Sequence, residues 1–246
     1  MDILIYSVIV FIYGITIGSF LNVVIYRIPN NLSVVSPPSA CPSCGNRLKM
    51  YHNIPILSWL LLRGKCGFCK TKISFQYPLI ELITGIIFLL IFFKIGWVWY
   101  LPFVCLSFAS LLALSMIDFK YMAVPDSVNF TALGFALIQP EFISAGIAAL
   151  VTAGVLYVLG YIASKLARKE AMGLGDVIVA GTMGALLGFP NVLFAIFLSA
   201  ILILVPSLLT KGKAYPFVPF LSMATLILFI YDNEILLFIK NIYGIA

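Results

Sequence analysis

The chain has 246 residues, of which 63% are hydrophobic and 10% charged, with a mean hydropathy of +1.13. That composition excludes an ordinary soluble domain, and apolar runs that are continuous rather than alternating exclude a β-barrel, which leaves an all-α polytopic membrane protein. The net charge of +6 needs no nucleic-acid partner, because Lys and Arg cluster between the apolar runs, where they report topology.

Eight apolar segments are expected, at about 4–25, 79–93, 98–117, 124–139, 142–163, 173–189, 191–209 and 216–231, their edges set to within about 2–4 residues. The first has no basic residue before it and a basic stretch after it. It reads as a retained first span and not as a signal peptide. Those at 79–93, 124–139, 173–189 and 216–231 fall short of the roughly 20 residues of an ideal span. Residues 233–246 read as the frayed end of the last span or an interfacial piece.

With the N-terminus outside, one side collects Arg27, Arg47, Lys49, Arg63, Lys65, Lys70, Lys72, Lys120, Lys165, Arg168, Lys169, Lys211 and Lys213. Of the 15 basic residues, Lys94 and Lys240 alone fall on the other side. Basic loops stay inside, so about eight spans are expected, with both ends outside and the stretch 27–77 in the cytoplasm. Three parts follow: a first span at 1–26, an extramembrane segment at 27–77 and a membrane domain at 78–246.

The segment 27–77 is rich in turn residues, including Pro37, Pro38, Pro42 and Pro55. It carries Cys41-Pro-Ser-Cys44 and Cys66-Gly-Phe-Cys69, separated by 21 residues. Paired CxxC knuckles at this spacing are a zinc-ribbon pattern, and four thiolates would complete the tetrahedron of a structural zinc. Disulfides would be the alternative, in an oxidising compartment. Gly45 and Gly67, beside the knuckles, fit tight turns. His52 is the one histidine and Cys105 reads as a packing residue. With one histidine, catalysis through a Ser-His-Asp or Cys-His arrangement has little to draw on, which turns attention to carboxylates.

Asp118 closes the third apolar segment and Asp176 opens the sixth, within Gly173-Leu174-Gly175-Asp176. On this topology both lie at the cytoplasmic end of their helices, so they can meet without crossing the membrane. Intramembrane carboxylates are costly and mark function. Two that share a proton can divide the work of base and acid in peptide hydrolysis. A helix-end role or ion binding in a transporter uses the same devices. Asp126, after Pro125, reads as the N-cap of the fourth helix.

The residues also resemble a known family, the type IV prepilin peptidases. The resemblance rests on Gly18-Ser-Phe-Leu-Asn22 through Arg27-Ile-Pro29, on Cys41-Pro-Ser-Cys44, and on Asn53-Ile-Pro55-Ile-Leu-Ser58-Trp59 with Arg63-Gly-Lys-Cys66. It continues through Tyr77-Pro78 and Glu81, Ile117-Asp118 with Val124-Pro125-Asp126, Gly173-Leu-Gly175-Asp176 and Pro216-Phe217-Val218-Pro219-Phe220. It departs from the family's usual pattern at Ile178 and Val218. The resemblance implies a multi-pass enzyme of the bacterial cytoplasmic membrane, with Asp118 and Asp176 as an aspartic-protease pair. Its substrates would be prepilins or pseudopilins, cut after a glycine that follows a short basic leader. It further implies methylation of the new N-terminus with S-adenosylmethionine, to which Asn22, Arg27, Pro55, Trp59 and Glu81 are candidate contributors. The competing readings are a peptidase without methylation, an ion-coupled transporter and a scaffold with a zinc-ribbon docking module. No nucleic-acid partner is expected.

Overall fold

The described residues of the computed structural model form nine α-helices and one short 3₁₀ turn, joined by turns and loops. Described in full are residues 2–166, 168, 172–208 and 215–232; at 167, 209 and 233–243 the backbone alone is described. Lys169, Glu170, Lys211 and Lys213 fall outside them. Two compact units divide the chain, Met1–Val98 and Trp99–Ala246.

In the first unit, α1 (Asp2–Arg27) begins with an acid and ends with a base, matching the helix dipole. It packs along α3 (Gln76–Ile95). Glycines set the closeness of that pair. A methyl at Gly14 would lie 2.7 Å from Gly85 Cα, and one at Gly18 would lie 2.7 Å from Glu81 Cα. Gly14 and Gly18 form the small-xxx-small spacing through which helices approach in a bilayer, where lipid gives no hydrophobic drive for helix association. Ile25, Ile80 and Ile91 seal the seam, while Leu4, Tyr13 and Phe20 face outward. At the far end the Tyr6 and Trp97 rings stack at 4.6 Å, a pairing suited to a membrane–water boundary. Between the two helices lie the 3₁₀ turn Met50–Asn53 and the short α2 (Leu57–Leu61).

The second unit is built on α4 (Leu101–Tyr121), the most enclosed of the long apolar helices. Pro102 occupies its first turn, where a missing N–H costs nothing. It contacts α5 (Asp126–Leu137) and α9 (Val218–Tyr243). The Ser107 hydroxyl donates to the Ala132 carbonyl at 2.8 Å across the α4–α5 seam. Helix α7 (Leu174–Leu187) lies against α5, α9 and α6 (Phe142–Ala167). Alanines 136, 145, 149 and 185 make the α5–α6–α7 contact narrow. A methyl at Gly184 would sit 2.6 Å from the Ala148 carbonyl oxygen, so only glycine lets α7 this close to α6. Helix α8 (Asn191–Leu209) packs on α9, touches α7 and turns most of its remaining surface outward.

The eight helices other than α2 overlie the eight apolar segments, with α9 running past the expected end at 231 to Tyr243 and with α2 as an addition too short and too irregular to show a period. Five of them, α1, α3, α4, α6 and α8, are long and apolar enough to cross a membrane. Helix α7 and the first part of α9, Val218–Asp232, are apolar but shorter. At 12 residues α5 is shorter still and reaches about 18 Å, well under a hydrocarbon core of about 30 Å. Helix α9 continues past Asp232 to Tyr243, across a kink where Tyr231 leaves helical geometry (φ −109°, ψ 21°).

Candidate active site and metal centre

Helix α4 delivers Asp118 in its last turn. The side chain is buried, and its carboxylate accepts the Val218 N–H at 3.2 Å. Val218 is the first residue of α9, so the positive end of that helix faces Asp118. After Asp118 the chain turns sharply: Met122 takes a left-handed conformation (φ 51°), and its N–H returns to the Asp118 carbonyl at 2.9 Å. This reversal carries Val124 alongside the start of α7.

Helix α7 delivers Asp176 in its first turn, where its carboxylate accepts the Gly173 N–H at 3.3 Å. Gly175 lies against Val124 so tightly that a methyl there would be 2.7 Å from Val124 Cβ. The Asn129 side-chain amide donates to the Gly175 carbonyl at 2.8 Å. Asp118 and Asp176 thus line one cleft of about 650 Å³, together with Met122, Val124, Met172, Ile203, Tyr215 and Phe217. Two carboxylates facing one cleft can activate water and protonate a leaving amine, with the peptide held by the walls. Asn129, Met172 and Tyr215 carried no motif in the sequence. Only the fold brings them here.

Asp126 is not an N-cap. Pro125 occupies that position with extended backbone, and Asp126 is the first helical residue with no side-chain cap bond. It is exposed, and its charge suits the positive end of α5.

In the first unit, Glu81 is buried and its carboxylate accepts the Ile56 N–H at 2.6 Å. Ile56 adopts φ 60° and ψ −53°, and the following N–H of Leu57 bonds the Pro55 carbonyl. This is a γ-turn on a β-branched residue, a strained arrangement. Glu81 grips it. Asn22 donates to the Gly18 and Tyr77 carbonyls at 3.3 and 3.2 Å, tying α1 to the start of α3, while its Oδ1 is buried without a partner. The Arg27 guanidinium holds the carbonyls of Ser33 and Pro37, each at 2.8 Å. The Trp59 indole donates to the Ile73 carbonyl and covers Gly64. Each of these candidate contributors therefore has a structural task.

The four cysteines converge. The sulfurs of Cys41, Cys44, Cys66 and Cys69 all lie within 4.8 Å of one another, with Cys41 and Cys69 at 3.8 Å. Zinc–sulfur bonds of about 2.3 Å in a tetrahedron place sulfurs about 3.8 Å apart, so the cluster fits the ion. The two knuckles repeat one design. Single antiparallel bridges, Ala40 with Arg47 and Lys65 with Lys72, close each loop. The Gly45 N–H bonds the Cys41 carbonyl, and the Lys70 N–H bonds the Cys66 carbonyl. Gly45 has φ +68° and Lys70 φ +61°, so Lys70, not Gly67, is the counterpart of Gly45. Gly67 serves packing instead, since a methyl there would lie 3.0 Å from His52 Nε2.

Hydrogen bonds from the backbone of Ser43 and Cys44 pull the Cys41 thiol below its usual range. The Thr71 hydroxyl and N–H draw Cys69 down to about 6. The Asn46 N–H favours thiolate at Cys44, but burial and the sulfurs of Cys69 and Cys41 keep it at about 11. The neighbouring sulfurs thus oppose ionisation at Cys44, a penalty that a bound dication would relieve. His52 stands outside the cluster, its ring edge-on to Phe68 at 5.3 Å. Cys105 is buried within α4.

Residues 12–95 match the family described as the bacterial peptidase A24 N-terminal domain, and residues 105–208 match the type IV leader peptidase family. The chain is 33% identical over 257 residues to a prepilin leader peptidase/N-methyltransferase of Neisseria gonorrhoeae, covering 91% of this chain and 90% of that protein. It is 38% identical to the type 4 prepilin-like proteins leader peptide-processing enzyme of Escherichia coli O78:H11, over 73% of this chain and 77% of that one. To a prepilin leader peptidase/N-methyltransferase of Vibrio cholerae it is 35% identical, over 80% and 84%. No solved structure matches.

Proposed function

Because the chain belongs to the type IV leader peptidase family, we propose that Asp118 and Asp176 are the catalytic pair with which it cleaves prepilin leaders. Its relatives are named for two reactions, and this chain is an enzyme of both kinds: a hydrolase that removes the leader and a transferase that methylates the new amino group. The observation that carries the assignment of the pair is the single cleft lined by both carboxylates.

In the hydrolytic step one carboxylate takes a proton from water as its oxygen adds to the scissile carbonyl carbon. The other, protonated, hydrogen-bonds that carbonyl oxygen. When the C–N bond breaks, a proton passes to the leaving amine and one carboxylate is again protonated. The Val218 N–H at Asp118 and the Gly173 N–H at Asp176 hold each side chain in one orientation. The substrate segment must be extended at the cut, since a helix hides its carbonyls. A glycine there lowers the cost of unwinding.

Cys41, Cys44, Cys66 and Cys69 would hold a structural zinc, which supplies folding energy and leaves no open position for catalysis. S-adenosylmethionine is the methyl donor that the transferase name implies. Among the described residues no strand–glycine loop–helix cradle is present, so no donor pocket is assigned and no step is derived through it.

In this reading the chain crosses the bilayer about eight times, the short α5 where the lipid thins around the bundle, with both termini outside and the four-cysteine segment at 27–77 in the cytoplasm, between a first span at 1–26 and a peptidase domain from 78 onward. The clustering of Lys and Arg supports that orientation. The partners are prepilins or pseudopilins and the surrounding lipid.

The test is incubation of the membrane-embedded protein with a prepilin and the methyl donor, followed by mass spectrometry of the product. Loss of the leader with the mass of one added methylene is expected. An uncut prepilin contradicts the peptidase assignment; a cut but unmethylated product leaves a peptidase alone.

A further inference from the structure

Two polar side chains tie α5 to α7, and they do so at opposite ends. At the end remote from the cleft, the Gln139 amide donates to the carbonyls of Ala136 and Ala185, at 2.9 and 2.8 Å. At the cleft end, the Asn129 amide donates to the Gly175 carbonyl at 2.8 Å. Between them the contact is apolar and small, with Ala132, Ala136 and Ala185 buried. The two ties differ in what they hold. Gln139 closes the worn ends of two helices, where carbonyls lack partners. Asn129 bonds a carbonyl within the first turn of α7, at the residue that precedes Asp176.

Asn129 is fully buried, and its Oδ1 has no partner. A leucine of similar size would pack the site without that penalty, and Val128 and Ala132 beside it are apolar. A buried, half-satisfied amide is a costly choice for packing alone. What it secures is the second of two constraints on one peptide unit. Val124 presses against Gly175 from the side of Asp118, and Asn129 holds the Gly175 carbonyl from α5. Val124 is six residues beyond Asp118 and Gly175 is next to Asp176, so these contacts set the spacing of the two carboxylates.

We propose that Asn129 is a positioning residue for leader cleavage: its amide fixes the Gly175 peptide and, through it, the placement of Asp176 opposite Asp118. This rests on the assignment of the aspartate pair. Fully buried, Asn129 does not touch substrate, so its loss acts on the rate of the chemical step and leaves substrate binding alone.

The experiment compares Asn129→Leu, Asn129→Asp and Gln139→Leu in the full-length protein reconstituted with lipid, each checked for folding by thermal melt. Asp176→Asn runs beside them; cleavage by that variant would sink the aspartate assignment and would be read separately. Asn129→Leu removes the donor, and Asn129→Asp sets an acceptor against the carbonyl. Both are expected to lower kcat for prepilin cleavage by about 10- to 100-fold, with KM within about twofold of wild type. Gln139→Leu, which removes the other tie, keeps kcat within about twofold. The proposal is overturned if a folded Asn129 variant retains kcat, if KM rises as kcat falls, or if Gln139→Leu loses kcat equally. It is overturned as well if both Asn129 variants fail to fold, since Asn129 is then a residue of the fold.

Discussion

Replacing Gly175 by alanine should cripple cleavage through a displacement that the structure allows to be sized. The added methyl would stand 2.7 Å from Val124 Cβ and 3.0 Å from its Cγ1, whereas ordinary contact begins at 3.4 Å. Relief requires at least about 0.7 Å of movement, and about 1 Å restores a comfortable contact. Neither neighbour gives easily. The obstructing atom is a β-carbon, fixed to the backbone between Met122 and Pro125, and no rotamer change removes it. The movement therefore falls on the peptide that carries Asp176. A misplacement of about 1 Å at a catalytic group costs about 100-fold in rate, or about 2.7 kcal/mol in activation free energy. Initial rates of leader removal at saturating prepilin measure this directly. Val124→Gly deletes the obstructing carbon, so the double variant Val124→Gly/Gly175→Ala should recover at least about tenfold over Gly175→Ala. Wild-type kcat in the single variant, or no recovery in the double, would refute the claim that this contact sets the cleft.

Glu81 grips the Ile56 N–H, and a glutamine oxygen can accept the same bond. Glu81→Gln should therefore preserve both reactions, while Glu81→Leu frees the strained turn and speeds proteolytic nicking near residues 54–61; loss of methylation in Glu81→Gln, with cleavage kept, would instead assign the carboxylate a chemical role. Cys69→Ser should lower bound zinc from about one ion per chain, and a chelator should do the same to wild type, both measured by elemental analysis of purified protein. Metal stoichiometry indifferent to both would remove the zinc reading.

Much of the architecture could be read from the chain because continuous apolar runs of this length have one structural solution in lipid. The cysteine pairs were equally plain, since their spacing is local and the sulfurs converge as that spacing implies. Asp118 and Asp176 stood out as charges at the edges of apolar runs. What held them in one cleft did not stand out. Val124 and Asn129 gain meaning only once α5 folds back beside α7, a contact between residues about 46 apart in sequence. Gly14 and Gly85 are two glycines among many in the sequence, and Gly18 only opens the first-span motif; the fold shows that α1 and α3 cross on all three. Asp126 was placed one position off, because Pro125 can serve as the last extended residue before a helix. Gly67 has the place of a turn glycine in the sequence, but the left-handed residue is Lys70, a conformation that residue type does not advertise. Glu81 illustrates a different case: its acidity suggests chemistry, and the fold adds a bond to the Ile56 N–H that no sequence pattern announces.

The central claim is that Asp118 and Asp176 together perform the cleavage. The most direct measurement is leader removal from a prepilin by Asp118→Asn and Asp176→Asn, each reconstituted in lipid and shown by thermal melt to be folded. Each substitution keeps size and shape and removes the titrating group, so each alone should abolish cleavage. A folded variant of either kind that still releases the leader at the wild-type rate would contradict the account.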